Sequence, residues 1–438
     1  MESKIWHPNT QMTEWNNFPQ IVSAKGVYLI DSDGKKLFDA VASMWCNVWG
    51  HSKPELIQAI IQQSKNLQHA PLFNLNHKPA IQLAQNLLHH LPGMDRIFYS
   101  DNGSSGMEIA IKMAIQYWSN INEPKSQIAS LENGYHGDTF GAMSVGYVPQ
   151  FFSQFKRQLF SVHRLPVPNR YRTPKRYSHS DHLQYCLEKA ERLFSKNDKI
   201  AALVMESGTQ VAGGVVIYPK NFQHNLMKIC KKYNTLLVLD EVATGLGRLG
   251  SMIQYVNQNS RPDIVTFGKM LTGGYMTRAA TASSKKIYDS FSGEYAENKH
   301  LFHGHTFTGN PIATSLALAN LKLYKKHKLI QKIQKTSRVF TKHIDELLKL
   351  NLVGDVRHKG MLVGIELVTN KKTKSSPVPK MSINRIIFEQ GRKNGLYLRT
   401  LGNIVMLVPP LIISEAQINM LVSKTISTIK SATPLLKS

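Results

Sequence analysis

Apolar and polar positions along the chain follow two alternating rhythms. Short, mainly apolar runs at residues 97–99, 128–131, 200–205, 236–239 and 264–267 have the character of strands buried on both faces of a parallel sheet. Between and around them, apolar residues recur every three or four positions over residues 54–68, 79–91, 107–118, 181–194 and 222–233, which predicts helices. In the third of these, Met107, Ile111, Ile115 and Trp118 share one face. Strand alternating with helix predicts the α/β class, with a doubly wound, mostly parallel sheet. Near the start, residues 26–30 and the Asp33-Gly34 pair read as a strand turning into a hairpin. Toward the end, a long amphipathic helix (312–327) precedes strands at 361–368, 396–399 and 405–408, with a lysine-rich turn at 370–374. These predict a smaller α+β unit. The expected division is an arm and part of the small domain over 1–50, a large domain over 51–310, and the small domain over 311–438.

Composition changes this picture little. Hydrophobic residues make up 42 % of 438, an ordinary globular value, and no apolar run approaches the length of a membrane span. The first residues, MESKIWHPNTQM, lack the apolar core of a secretory signal, so a cytoplasmic protein is expected. Cys46, Cys186 and Cys230 are far apart and suggest neither a disulfide framework nor a zinc site. The formal charge of +25 raises nucleic-acid binding as a rival reading, centred on the acid-free stretch 151–180. No zinc-finger or RNA-binding aromatic pattern accompanies that charge, and solvated basic surface is the expected explanation. Nucleic-acid and membrane partners are not expected.

Candidate chemistry lies where the buried runs stop. One ends at Asp240-Glu241 and another at Gly268-Lys269. Charged groups at the C-terminal ends of parallel strands face the crevice where open α/β sheets bind ligands. A shielded amine and a shielded carboxylate suit a pyridoxal cofactor: the amine forms a Schiff base, and the acid holds the ring nitrogen protonated. The turn at 101–106 joins a strand to a helix and leaves free N–H groups at the helix start, a phosphate cradle without a lysine. Tyr135 and His136 sit among Gly134, Gly137, Gly141 and Gly146, where a ring could stack on a planar cofactor. Glu206 ends a further buried run. Thr306 precedes a helix and can donate to a phosphate, whereas His303 and His305 lack further ligands at metal spacing, so no metal is expected. Arg399, beside a strand end, could clamp a carboxylate.

In this order WHPNTQM, GYHGDTFGAMS, LDEVATGLGRLG, GKMLTGG and HGHTFTGNP resemble the class III, fold-type I pyridoxal 5'-phosphate aminotransferases across essentially the whole chain. Within that class they are most similar to the biotin-pathway branch, which aminates 8-amino-7-oxononanoate. The resemblance implies a homodimer with shared active sites. Lys269 is then the catalytic lysine and Asp240 the partner of the pyridinium nitrogen. Tyr135 stacks on the ring, with His136 and Glu206 beside the cofactor. Gly103 and Ser104 hold the phosphate from one subunit, and Thr306 reaches it from the other. Trp45 lines the substrate pocket and Arg399 binds the substrate's carboxylate. Three positions depart from the family pattern: Asn9 where an aromatic is usual, Ser207 where proline is common, and His305 where members using S-adenosylmethionine tend to have proline. The last two are more like the branch that uses lysine, so both amino donors remain compatible. Another class III ω-aminotransferase is the alternative.

Overall fold

The computed structural model describes residues 4–15 and 18–437. Seven strands form the central sheet: β1 (Arg96–Ser100), β2 (Gln127–Leu131), β3 (Val162–Leu165), β4 (Ile200–Glu206), β5 (Leu236–Asp240), β6 (Ile264–Phe267) and β7 (Ala279–Ser283). Their order across the sheet is β1-β7-β6-β5-β4-β2-β3. Strands β2 to β6 run parallel, and β7 is antiparallel to both of its neighbours. The α/β class with a mostly parallel sheet is therefore present, and every residue of β4, β5 and β6 is buried.

Two strands of this central sheet are not foreseen, for identifiable reasons. Strand β7 reads Ala-Ala-Thr-Ala-Ser, too small and polar to register as an apolar run. Its slender side chains let the helix Gly103–Asn120 lie close, with Thr281 Oγ1 donating to Gly106 O at 3.0 Å. A Cβ on Gly106 would come within 2.6 Å of Thr266 Cγ2, so that helix can seat only on glycine. Strand β3 lies inside the basic stretch expected to be loop. Its Arg164 is tied down rather than solvated, donating to Ser130 Oγ and to Val145 O, each at 2.5 Å. From the same stretch Arg172 pairs with the buried Glu366. Part of the positive excess is thus structural.

The helix Gly103–Asn120 carries Met107, Ala110, Ile111, Ala114 and Trp118 into the sheet, and Trp118 Nε1 donates to Ala201 O at 2.8 Å. It starts at Gly103, inside the stretch expected to be a turn, because Asn102 caps it by accepting from Ser105 N at 3.0 Å. Toward the C-terminus, Val353–Lys359, Leu362–Leu367, Arg399–Leu401 and Ile404–Leu407 form a second sheet. The N-terminal strands Ile21–Lys25, Tyr28–Asp31 and Lys36–Asp39 join Leu396–Tyr397 in a third. The helix Pro311–Lys326 packs against Pro54–Asn66 and Lys78–His89. Its Asn320 Nδ2 donates to Met270 O at 2.8 Å and Leu271 O at 3.0 Å, which fixes the turn that carries Lys269. Among the described residues, no helix is long and apolar enough to cross a membrane.

Candidate active site

The C-terminal ends of β1, β2, β4, β5 and β6 open onto one cavity of about 460 Å³. Trp45, Gly103, Ser104, Tyr135, His136, Glu206, Asp240 and Lys269 all line it. Sheet register explains the meeting of the two acids, since Asp240 pairs directly with Glu206 across β5 and β4. Asp240 is held on both oxygens: Oδ2 lies 2.7 Å from His136 Nδ1, and Oδ1 accepts from Val242 N at 2.8 Å. A carboxylate so anchored keeps its aim. Its neighbour Glu241 turns away, accepting from Gln254 N at 2.8 Å and Tyr255 N at 2.5 Å, and supports the loop beyond.

Lys269 follows the end of β6 with φ +39°, a left-handed conformation unfavourable for a side chain-bearing residue. Burial pushes its amine below the ordinary lysine range, against the opposing pull of Asp240 and Glu206. Its Nζ stands 5.5 Å from the Trp45 ring centroid. Trp45 sits on a turn in which Ala42, Ser43 and Trp45 all have positive φ. Asp39 pins that turn by accepting from Ser43 N at 2.9 and 2.7 Å. The buried carboxylate thus holds a strained turn in place at the wall of the pocket.

Glu206 is 4 % exposed; its Oε1 accepts from Val211 N at 2.9 Å, and Oε2 has no partner. Burial raises its pKa to about 8 from an ordinary 4.5. The folded chain therefore binds this proton more tightly than the unfolded one, so its contribution to stability falls as pH rises through that window. Glu206→Gln removes the titration. The variant's stability relative to the parent is expected to increase by on the order of 1 kcal/mol or more between about pH 5 and pH 8. Parallel urea melts at the two pH values measure it, and a difference that does not change with pH contradicts a proton-bound Glu206.

At the other end the cradle is built from the start of the Gly103–Asn120 helix and the glycine loop after β2. Gly137 has φ +121°, and a Cβ there would fall 1.9 Å from Ser104 Oγ, while Asp138 N donates to that same oxygen at 3.4 Å. Glycine is required on both counts. Gly137→Ala is expected to lower folding stability by about 2 kcal/mol and to displace Ser104. Chemical denaturation checks this; an unchanged midpoint would show that the loop relaxes freely.

Two residues expected in the site stand outside this cavity. Arg399 lies beside its rim, its Nη1 3.4 Å from Sδ of the cavity-lining Met44. Thr306 is exposed, on a turn ahead of the helix Pro311–Lys326. The departures at Asn9, Ser207 and His305 each have a local role. Asn9 is left-handed at φ +50°, a conformation asparagine tolerates better than aromatics do. Ser207 N donates to Asp240 O at 2.9 Å, a bond proline could not make. His305 Nε2 accepts from Asp101 N at 3.2 Å and Nδ1 lies 2.6 Å from Thr308 Oγ1, which ties the Thr306 turn to the cradle. Met44, Cys46, Val242 and Arg278 also line the cavity and carried no signal in the sequence pattern.

An acid at one end, a depressed amine, an aromatic ring and a helix start suit a flat heterocycle bearing a phosphate. The sequence profile of the family Aminotransferase class-III matches residues 11–429. Adenosylmethionine-8-amino-7-oxononanoate aminotransferase of Geobacter sulfurreducens is 38 % identical over 97 % of this chain and 96 % of its own. The crystal structure of the like-named enzyme of Methanocaldococcus jannaschii superposes with a TM-score of 0.91 at 38 % identity, covering 98 % of this chain and 97 % of that one. An amine transaminase from an uncultivated Pseudomonas species, solved in a PLP-bound form, gives a TM-score of 0.92 at 29 % identity over 99 % of both chains.

Proposed function

The chain belongs to the class III aminotransferases, and on that premise we propose that it aminates the ketone of 8-amino-7-oxononanoate to 7,8-diaminononanoate, a step of biotin biosynthesis, with pyridoxal phosphate as cofactor and S-adenosylmethionine as amino donor. The convergence of Asp240, Lys269 and Tyr135 on one cavity with the Gly103-Ser104 cradle carries this reading. Near-complete coverage of the adenosylmethionine-named relatives favours that donor over lysine.

When bound, the cofactor supplies a carbonyl carbon that takes up and releases the amino group, and a ring that withdraws electrons from the adjacent carbon. Asp240 holds a proton at the ring nitrogen, and His136 and Val242 N keep its oxygens from turning away. Lys269 Nζ, favoured in its neutral form by burial, can take a proton from the substrate carbon and return it. Tyr135, which stacks on Phe152 with 6.0 Å between centroids, offers its ring to the cofactor's face. Val242 also lines the cavity, its two methyls 2.7 and 3.0 Å from where a Cβ on Gly103 would fall. Gly103 and Ser104 present the helix start to the phosphate. Arg399, outside the cavity but next to Met44 on its wall, would bind the acceptor's carboxylate.

The working unit is a homodimer in this reading. Thr306 is exposed and away from its own chain's cavity, as suits a residue that reaches the phosphate held by a second copy. Exposed Phe73, Phe302 and Phe307 give that region an apolar surface to cover. Light scattering on the purified protein is expected to give twice the chain mass.

A half-reaction separates the donors. Protein carrying the aldehyde form of the cofactor is mixed with S-adenosylmethionine or with lysine, and loss of the aldehyde absorbance is followed. Loss with S-adenosylmethionine alone is the expected result. Loss with lysine alone overturns the donor assignment, and loss with neither but with another ω-amine overturns the acceptor pathway as well.

A further inference from the structure

Arg278 immediately precedes β7 and is 3 % exposed. Its Nη2 donates to Asn310 O at 3.0 Å, while Nε and Nη1 are buried without a partner. Leaving two guanidinium donors unpaired in the interior is costly unless something fills the place. Burial lowers its pKa to about 10, so it stays charged at neutral pH. Among the described residues, no carboxylate lies within ion-pair distance of it; Asp101, whose charge acts on it, instead approaches His305, at 3.7 Å. Tyr99, with its ring centroid 5.7 Å from the guanidinium carbon, and His77 are its other titratable neighbours.

The side chain lines the same cavity as Asp101, Asn102, Gly103 and Ser104. That cradle offers a phosphate only neutral donors: the free N–H groups of a helix start and one hydroxyl. The other cation in the cavity, Lys269, is disposed toward its neutral form and sits at the end of β6 among the acids. A dianion held out of water by neutral dipoles alone lacks a counter-charge, and a guanidinium matches phosphate oxygens in both geometry and charge.

We propose that Arg278 is a phosphate-binding residue, directing Nε and Nη1 at the cofactor's phosphate and supplying the positive charge that the neutral cradle lacks. The inference rests on pyridoxal phosphate being the cofactor. It also accounts for an arginine at the head of a strand of alanines, threonine and serine, where no packing demand calls for one.

The test compares pyridoxal phosphate with phosphate-free pyridoxal. Full-length protein is stripped of cofactor, and both dissociation constants are measured by absorbance titration for the parent, Arg278→Met and Arg278→Lys. In the parent the phosphate ester is expected to bind far more tightly. In Arg278→Met that preference falls about tenfold or more, through weaker binding of the phosphate ester with pyridoxal unchanged. Arg278→Lys, which keeps charge but not the fork, is expected to fall between, and it decides the matter if the methionine variant fails to fold. A preference unchanged in the folded variants overturns the proposal, as does equal weakening for both ligands, which would mean that Arg278 only shapes the wall. An unchanged preference with a raised KM for the acceptor also overturns it, by showing that the guanidinium reads the substrate's carboxylate. If the parent itself binds neither form, the cofactor reading fails, a result distinct from failure at Arg278.

Discussion

Lys269→Ala is expected to lower the turnover number of amino transfer by at least about a thousandfold, because it removes the amine that lines the cavity and can carry a proton between carbons there. The amine's placement depends on three separate features. Strand β6 ends at Phe267, the turn over Lys269–Thr272 is anchored by Asn320, and burial favours the neutral form. The first two persist in the alanine variant, so folding is expected to survive. Removing a buried, partly desolvated amine should leave the melting temperature of the cofactor-free protein no lower than the parent's. Small exogenous amines are expected to restore part of the activity, since the cavity that held the side chain remains. Borohydride treatment followed by peptide mass analysis should place the cofactor's mass on Lys269 in the parent and nowhere in the variant. Near-parental turnover in Lys269→Ala would remove this residue from the chemistry.

Asp240→Asn is expected to cost about 10²–10³ in turnover while cofactor binding persists. An amide has nearly the shape of the carboxylate. Its oxygen can still accept from Val242 N, and His136 can adopt the tautomer that accepts from the new NH₂. What disappears is the negative charge, and with it the proton on the ring nitrogen. Loss of activity at nearly constant affinity is the signature of a residue acting on the electronics of the reaction rather than on binding. If affinity fell as steeply as turnover, Asp240 would be an anchor instead. Glu206, one strand over and in register, cannot substitute, because burial with an unpartnered oxygen favours its protonated form near neutral pH.

Much of the site could be read from the chain because buried parallel strands announce themselves as apolar runs and stop at polar residues. Leu236–Asp240 and Ile264–Phe267 end where the runs end, and their termini deliver Asp240 and Lys269. Glycines at 134, 137 and 141 marked the loop that presents Tyr135 and His136. Other parts carried no such mark. Strand β7 is built from small residues because a helix presses on it, a demand set by tertiary packing and invisible in its own composition. Arg278 shares that obscurity: a lone arginine ahead of alanines looks like surface until the sheet closes over it. Strand β3 was hidden by its basic side chains, since an arginine that reaches back to backbone carbonyls has the same letter as one in solvent. Glu241, next in the chain to Asp240, had no role assigned by the sequence pattern, and it turns away from the cavity to accept from Gln254 N and Tyr255 N.

The most direct measurement is product formation. Purified protein loaded with pyridoxal phosphate is supplied with 8-amino-7-oxononanoate and S-adenosylmethionine, and the mixture is resolved by liquid chromatography and mass spectrometry. Appearance of 7,8-diaminononanoate in the parent, and its absence with Lys269→Ala, is the expected result. An unconsumed ketone in the presence of every competent donor, from a protein that has visibly bound its cofactor, would contradict the assigned reaction.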